Sequence, residues 1–153
     1  MRIVLASDHA GFELKERIKE YLQEMGHEVL DVGCHSCESV DYPVFGAKGL
    51  EKLLSGQAER GIFICGTGLG MTIMANRFPG IRAALCHDCY TARMCRLHND
   101  ANVLTMGGRV IGPALALEIV RIFLETPFED GRHSRRLQLI EEYARSLQNV
   151  RQD

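Results

Sequence analysis

Five short β-branched or apolar runs alternate with five helical patterns, and this alternation constrains the fold more than any other feature of the chain. Residues 2–6, 27–32, 61–65, 81–86 and 102–106 read as strands. The third, Gly61-Ile62-Phe63-Ile64-Cys65, is apolar throughout, as expected of a strand buried on both faces. Between the first two runs, Phe12, Leu14, Ile18, Tyr21, Leu22 and Met25 form a helical stripe over residues 10–25, ended by Gly26. Helices are also predicted over residues 43–54, about 69–76 and 89–98, and Gly112-Pro113 opens a fifth with Pro at its favoured first position. The pattern predicts an α/β fold: a single-domain, Rossmann-like three-layer sandwich with a five-stranded parallel sheet, helices on both faces and right-handed crossovers. A sixth helix, about residues 134–150, lies beyond the alternation. Leu137, Ile140, Tyr143, Ala144, Leu147 and Val150 give it an amphipathic stripe. It either covers an edge of its own domain or docks on a partner subunit.

At 153 residues the chain is one domain, 1–153, long enough to bury a core without disulfides. Apolar residues make up 46% and charged residues 25%, which excludes a disordered or fibrous chain. Lys and Arg total 18 against 20 Asp and Glu, so no basic surplus points to nucleic acid. No apolar stretch approaches the roughly 20 residues that span a bilayer. The opening residues are too few for a signal-peptide core and run straight into a motif, so a cytoplasmic protein is expected. There, the six cysteines should be reduced thiols.

In parallel α/β sheets, ligands sit beyond the carboxyl ends of the strands. Strand one delivers Ser7-Asp8-His9 there, strand three Cys65-Gly66-Thr67-Gly68-Leu69-Gly70, and strand five Gly107-Gly108-Arg109. Glycines at 66, 68 and 70 allow a tight turn whose N–H groups, with the following helix start, can surround an anion. No Gly-Lys-Ser/Thr follows, and position 71 is Met, so neither a nucleotide P-loop nor a dinucleotide fingerprint is present. Tight packing alone also explains such a turn, but Cys65 shifts the balance. A thiol beside N–H donors and a helix start is placed to act as a base or nucleophile. Asp8 and His9 could handle protons of a polar substrate, although Asp8 also suits a helix cap. His98-Asn99 stands where a helix ends, which ordinary C-capping also explains. Arg132 and Arg136, spaced i, i+4, offer two guanidiniums to a phosphate if the last helix starts early enough; a solvated charged face is the alternative. Cys34-x-x-Cys37 and Cys86-x-x-Cys89 are spaced far more widely than in a zinc ribbon. Both pairs follow strands, so they could meet at one sheet edge, and zinc or redox roles stay open as minor readings.

Several motifs recur in a fixed order: Ser7-Asp8-His9-Ala10-Gly11-Phe12, Ser39-x-Asp41-Tyr42-Pro43, Cys65-Gly66-Thr67-Gly68-x-Gly70, Ala75-Asn76-Arg77, His98-Asn99-Asp100-Ala101-Asn102-Val103-Leu104 and Gly131-Arg132-His133-x-x-Arg136. Together they resemble the ribose-5-phosphate isomerase B family, which includes galactose-6-phosphate isomerase subunits. The resemblance spans residue 2 to about 145 and implies an aldose–ketose isomerase of phosphorylated sugars with no metal or organic cofactor. It implies that Cys65 is the base moving a proton between sugar C2 and C1, supported by Thr67. By the same resemblance the N–H groups of residues 66–70, with Gly66, Gly68 and Gly70, hold the enediolate oxygen. His98 opens the furanose ring, Asp8 handles hydroxyl protons, and Tyr42 and Asn99 contact the sugar. His9, Arg109, Arg132 and Arg136 are its phosphate-side candidates. Some members use a glutamate in place of the cysteine; the stretch 71–75 here holds no carboxylate. Cys34 and Cys37 stand where Thr or Ser is more typical of the family, and Cys89 and Cys95 are likewise unusual for it.

The resemblance leaves the sugar open between ribose 5-phosphate and a six-carbon substrate such as allose 6-phosphate or galactose 6-phosphate. A non-catalytic phosphate-binding module would share the turn and the arginines. Chain direction adds an expectation about assembly. His98 ends a helix that runs antiparallel to the strands, so it should lie more than ~15 Å from Cys65 of its own chain. A homodimer, or a dimer of dimers, with shared active sites would bring the two together.

Overall fold

The computed structural model describes residues 1–150; the last three residues of the expected 1–153 domain lie outside the described residues. Strands β1 (Arg2–Ser7), β2 (Glu28–Asp31), β3 (Arg60–Cys65), β4 (Ala83–Leu85) and β5 (Val103–Gly107) form one sheet in the order β2-β1-β3-β5-β4. Every pairing is parallel. Helices α1 (Phe12–Glu24), α2 (Tyr42–Leu54), α3 (Leu69–Ala75), α4 (Cys89–Leu97), α5 (Pro113–Glu125) and α6 (Arg132–Asn149) complete the fold.

The two faces carry separate apolar cores, because alternate strand residues point to opposite sides. Ile3, Leu5, Ile62, Ile64, Leu104 and Met106 pack against α1, α4 and α5. Val4, Ala6, Phe63, Cys65 and Val103 pack against α2 and α3. The three-layer sandwich expected from the alternation is the observed fold. Helix α6 joins neither core, and its Ile140, Tyr143 and Leu147 remain exposed. A groove of ≈ 890 Å³ runs between this helix and residues 76–84.

Most boundaries shift by a residue or so from the sequence reading, and three of the differences have a clear local cause. The fourth strand shortens from 81–86 to Ala83–Leu85, because only these residues pair with β5. Residues 9–11 form a single 3-10 turn before α1, and Asp8 caps that turn, accepting from Ala10 and Gly11 N–H at 3.0 and 3.1 Å. Helix α6 starts at Arg132, two residues earlier than expected, behind Gly131 in a positive-φ conformation.

The loop from β2 to α2 is anchored by a buried ion cluster. Lys15, fully buried, donates to Asp31 at 2.6 Å, and Lys19 donates to the same oxygen at 3.0 Å. Burial works to raise the Asp31 carboxyl, but bonds from Lys15, Lys19 and the Gly33 N–H outweigh it and leave its pKa lowered.

Candidate active site

In the strand order, β1 and β3 are neighbours whose outgoing connections lead to opposite ends of the sheet: β2 lies beyond β1, and β5 and β4 lie beyond β3. Such a switch point opens a crevice at the carboxyl ends. The turn after β1, with Asp8 and His9, therefore stands beside the turn after β3. Asp8 N–H donates to Ile64 C=O at 3.3 Å, which ties the two turns together. The turn after β5 closes in from the other side of β3: Gly108 N–H donates to Cys65 C=O at 2.9 Å, and Arg109 N–H to Gly66 C=O at 3.1 Å.

Two of the turn's glycines are there for space. Gly68 has φ 79°, and a Cβ on it would lie 2.5 Å from the Leu85 side chain and 2.8 Å from the Met106 backbone. A Cβ on Gly70 would meet the Tyr42 ring at 2.5 Å, so this glycine lets the start of α2 lie on the turn. The N–H groups of Gly66, Thr67 and Gly68 take no acceptor among the described residues, while Leu69 N–H donates to Thr67 Oγ1 at 3.3 Å. Cys65 ends β3 at the rim of the α2/α3-side core, 4% exposed, with Tyr42 packed on the same cluster.

Two imidazoles frame this crevice. His9 Nδ1 accepts from Val40 N–H at 3.1 Å, so in the neutral ring Nε2 carries the proton and is free to donate. His87 Nε2 accepts from Gly107 N–H at 2.9 Å. Burial holds His87 below the ordinary imidazole value against the pull of Asp88, which keeps the ring neutral and able to accept. Sequence reading gave His87 no role. Its contact depends on β4 lying next to β5, which no local pattern reveals.

The sequence-predicted residues divide into two groups. Asp8, His9, Tyr42, Cys65, Gly66, Thr67, Gly68, Gly70 and Arg109 gather at the carboxyl end of the sheet. The Arg109 guanidinium lies over the turn, 3.6 Å from where a Gly66 Cβ would stand. His98, Asn99, Arg132 and Arg136 gather at the amino end. His98 caps α4, five residues before β5 begins, and its ring stacks on His133 at 4.3 Å between centroids. Arg132 and Arg136 occupy the first turns of α6 beside it, exposed to solvent. Buried Arg96 braces this end, donating to Asp100 Oδ1 at 2.8 Å, Ala101 C=O at 2.6 Å and Thr126 C=O at 3.3 Å. The length of β5, roughly 15 Å at about 3.3 Å per residue, separates the two groups.

The C-x-x-C pairs do not meet. Cys34 and Cys37 follow β2 and Cys86 and Cys89 follow β4, the two outermost strands, with three strands between them. At about 4.8 Å per strand that spacing is far too wide for a shared ion. The expectation of one common edge is thus corrected: both pairs follow strands, but the crossovers send those strands to opposite sides. All six cysteines are free. Cys86 Sγ instead lies 3.9 Å from Cys95 Sγ. Their mutual hydrogen bond, with burial, pushes the Cys95 thiol far above its usual range.

Comparison with known proteins gives this architecture its class. Residues 3–140 match the family described as Ribose/Galactose Isomerase. Ribose-5-phosphate isomerase B of Escherichia coli is 45% identical over 139 residues, covering 91% of this chain and 93% of that protein. A 4-deoxy-4-sulfo-D-erythrose isomerase of Clostridium sp. is 45% identical over 133 residues, covering 86% and 83%. The structure of Clostridium thermocellum ribose-5-phosphate isomerase B superposes with a TM-score of 0.93 at 52% identity, covering 96% of this chain and 99% of that one. The protein is thus an enzyme of the sugar-phosphate isomerase class. Within that class, the chain belongs to the ribose-5-phosphate isomerase B family.

Proposed function

We propose that the enzyme interconverts ribose 5-phosphate and ribulose 5-phosphate through an enediolate. The observation that carries this reading is the convergence of Cys65, the unpartnered N–H groups of Gly66, Thr67 and Gly68, and Asp8, His9 and Tyr42 on one crevice. Aldose–ketose isomerisation removes a weakly acidic C–H proton beside a carbonyl and returns it to the neighbouring carbon. Cys65 takes the proton from C2 and delivers it to C1, with Thr67 beside it. The turn's N–H groups stabilise the enediolate oxygen, a role in which losing one donor typically costs about 10²–10³ in rate. The free Oδ2 of Asp8 exchanges hydroxyl protons, since Oδ1 is held by the cap. His98 opens the furanose ring, and Tyr42 and Asn99 contact the sugar. His9, Arg109, Arg132 and Arg136 bind the phosphate, whose remote binding energy orients the reacting carbons.

His98, Asn99, Arg132 and Arg136 complete the site from a second subunit in a homodimer, alone or paired into a dimer of dimers. The separation of the two residue groups within one chain supports this assembly. So do the exposed apolar stripe of α6 and the groove beside it, which a second copy would cover. The whole chain acts as one catalytic domain, and six unpaired thiols suit a cytoplasmic setting. A relative that isomerises a four-carbon sulfo sugar supports a second reading, in which the anion pocket is shared and sugar length is selected elsewhere.

The test is isomerisation of ribose 5-phosphate, allose 6-phosphate, galactose 6-phosphate and a sulfo-tetrose in deuterated water. The expected result is fastest turnover of ribose 5-phosphate with solvent deuterium appearing at C1 of the ketose. A preference for another substrate would reassign the sugar, and absence of turnover and exchange with all of them would indicate a binding module.

A further inference from the structure

Three metal-ligating side chains meet where α4 ends and α6 begins. Glu129, in the loop before α6, places Oε2 3.8 Å from His98 Nε2 and 3.5 Å from His133 Nε2. One ligand atom from each residue lies within 4.8 Å of the others, and among the described residues no other three His, Cys, Asp or Glu side chains are so arranged. The backbone holds the ligands in place: Glu129 N–H donates to Leu97 C=O at 3.0 Å, fastening the loop to the end of α4.

An independent feature points to a ligand. His133 is 4% exposed, and its buried Nε2 has no hydrogen-bond partner. Buried imidazole nitrogens are normally satisfied, so an orphan lying beside a carboxylate and under a stacked second imidazole calls for an occupant. Two imidazoles and one carboxylate are the donor set of open zinc sites, with the fourth position left to water or an anion. Imidazole donors favour the later first-row divalent ions over Mg²⁺ and Ca²⁺.

We propose that His98, Glu129 and His133 bind a divalent transition ion such as Zn²⁺ or Co²⁺, and that its binding inhibits the isomerase by occupying the lone pair of His98. At metal–ligand distances of about 2.0–2.2 Å, tetrahedral donor atoms stand roughly 3.3 Å apart. The contacts to Glu129 exceed that by a few tenths of an ångström. The rings stand only 13° from parallel, so the His98 ring must also turn for the two nitrogens to converge. His98 and Glu129 have the room, with side chains 39% and 51% exposed, whereas His133 is fixed by burial. The inhibitory half rests on His98 acting as the ring-opening residue; the binding half does not.

The test uses Co²⁺ alone, titrated into the full chain after chelator treatment and followed by absorption. The expected result is one equivalent per chain, giving visible tetrahedral bands without a thiolate charge-transfer band, and loss of isomerase activity in step with occupancy. Glu129→Gln changes an exposed side chain and should fold normally. It should weaken binding by at least the roughly 10–100-fold that outer-shell losses cost. His133→Ala should remove the site. Absence of binding, a thiolate band, or Glu129→Gln binding Co²⁺ as tightly as the native chain would overturn the site. Full occupancy without inhibition would keep the site, overturn the inhibitory half, and count against His98 in ring opening.

Discussion

Cys65 owes its position to a strand that ends where the backbone must turn sharply. Its thiol packs against the core while the next residues free their N–H groups, so base and oxyanion donors share one short segment. Replacing it with Ala should lower kcat by about 10²–10⁴ with native folding retained, because general-base catalysis contributes that much and the lost atom is small. Near-native turnover in Cys65→Ala would remove the thiol from the chemistry. Cys37→Ser, at an exposed position, is the matched control and should behave as the native enzyme. Asp8, His9 and Cys65 were legible in sequence because each lies at or just beyond the carboxyl end of a strand. His87 and His133 were not, since their roles are set by Gly107 and His98, contacts that only the packed fold creates.

At the scale of elements, the β2–α2 loop matters because it carries Val40, which orients His9, and leads to Tyr42. Its base is held by Asp31, bound to Lys15 and Lys19 on α1. Asp31→Asn should destabilise the fold by about 3 kcal/mol at neutral pH, the low end for breaking a buried pair, since Glu16 still partners Lys15. The pH dependence has a defined sign. The folded pKa of Asp31 is lowered, so its contribution is present above the unfolded value of about 3.9 and fades as pH falls through the folded one. Denaturant titrations should therefore show a gap between native and Asp31→Asn at pH 7 that narrows below about pH 4. A gap of constant size across that range would mean the carboxylate charge is not what holds the loop. Helix α6 illustrates a boundary set by context. Its apolar stripe begins at Leu137, but Gly131 starts the helix at Arg132, which puts Arg132 and Arg136 on successive turns.

For the whole molecule, the two ends of the sheet pose the central question of assembly. If one site combines Cys65 of one subunit with His98 of its partner, two inactive variants should complement each other. Mixing Cys65→Ala with His98→Ala at equal amounts puts half the subunits into mixed dimers, each with one intact site, so about a quarter of native activity should return. No recovery with freely exchanging subunits would place both residues in a single-chain site and require another role for the α6 stripe.

The elements, the α/β class, the turn at Cys65 and the residues delivered to each strand end follow from local periodicity, glycine placement and chain direction, all readable along the chain. The His98 and Cys65 groups fall at opposite ends of the sheet for the same reason: helices return antiparallel to the strands they connect. The packed fold set the order β2-β1-β3-β5-β4, and with it the switch point between β1 and β3. It also decided that the two C-x-x-C pairs lie over opposite outer strands and that His133 stacks beneath His98. Strand order and loop docking depend on which distant surfaces bury each other, and a parallel strand pattern is compatible with several orders until the crossovers choose one.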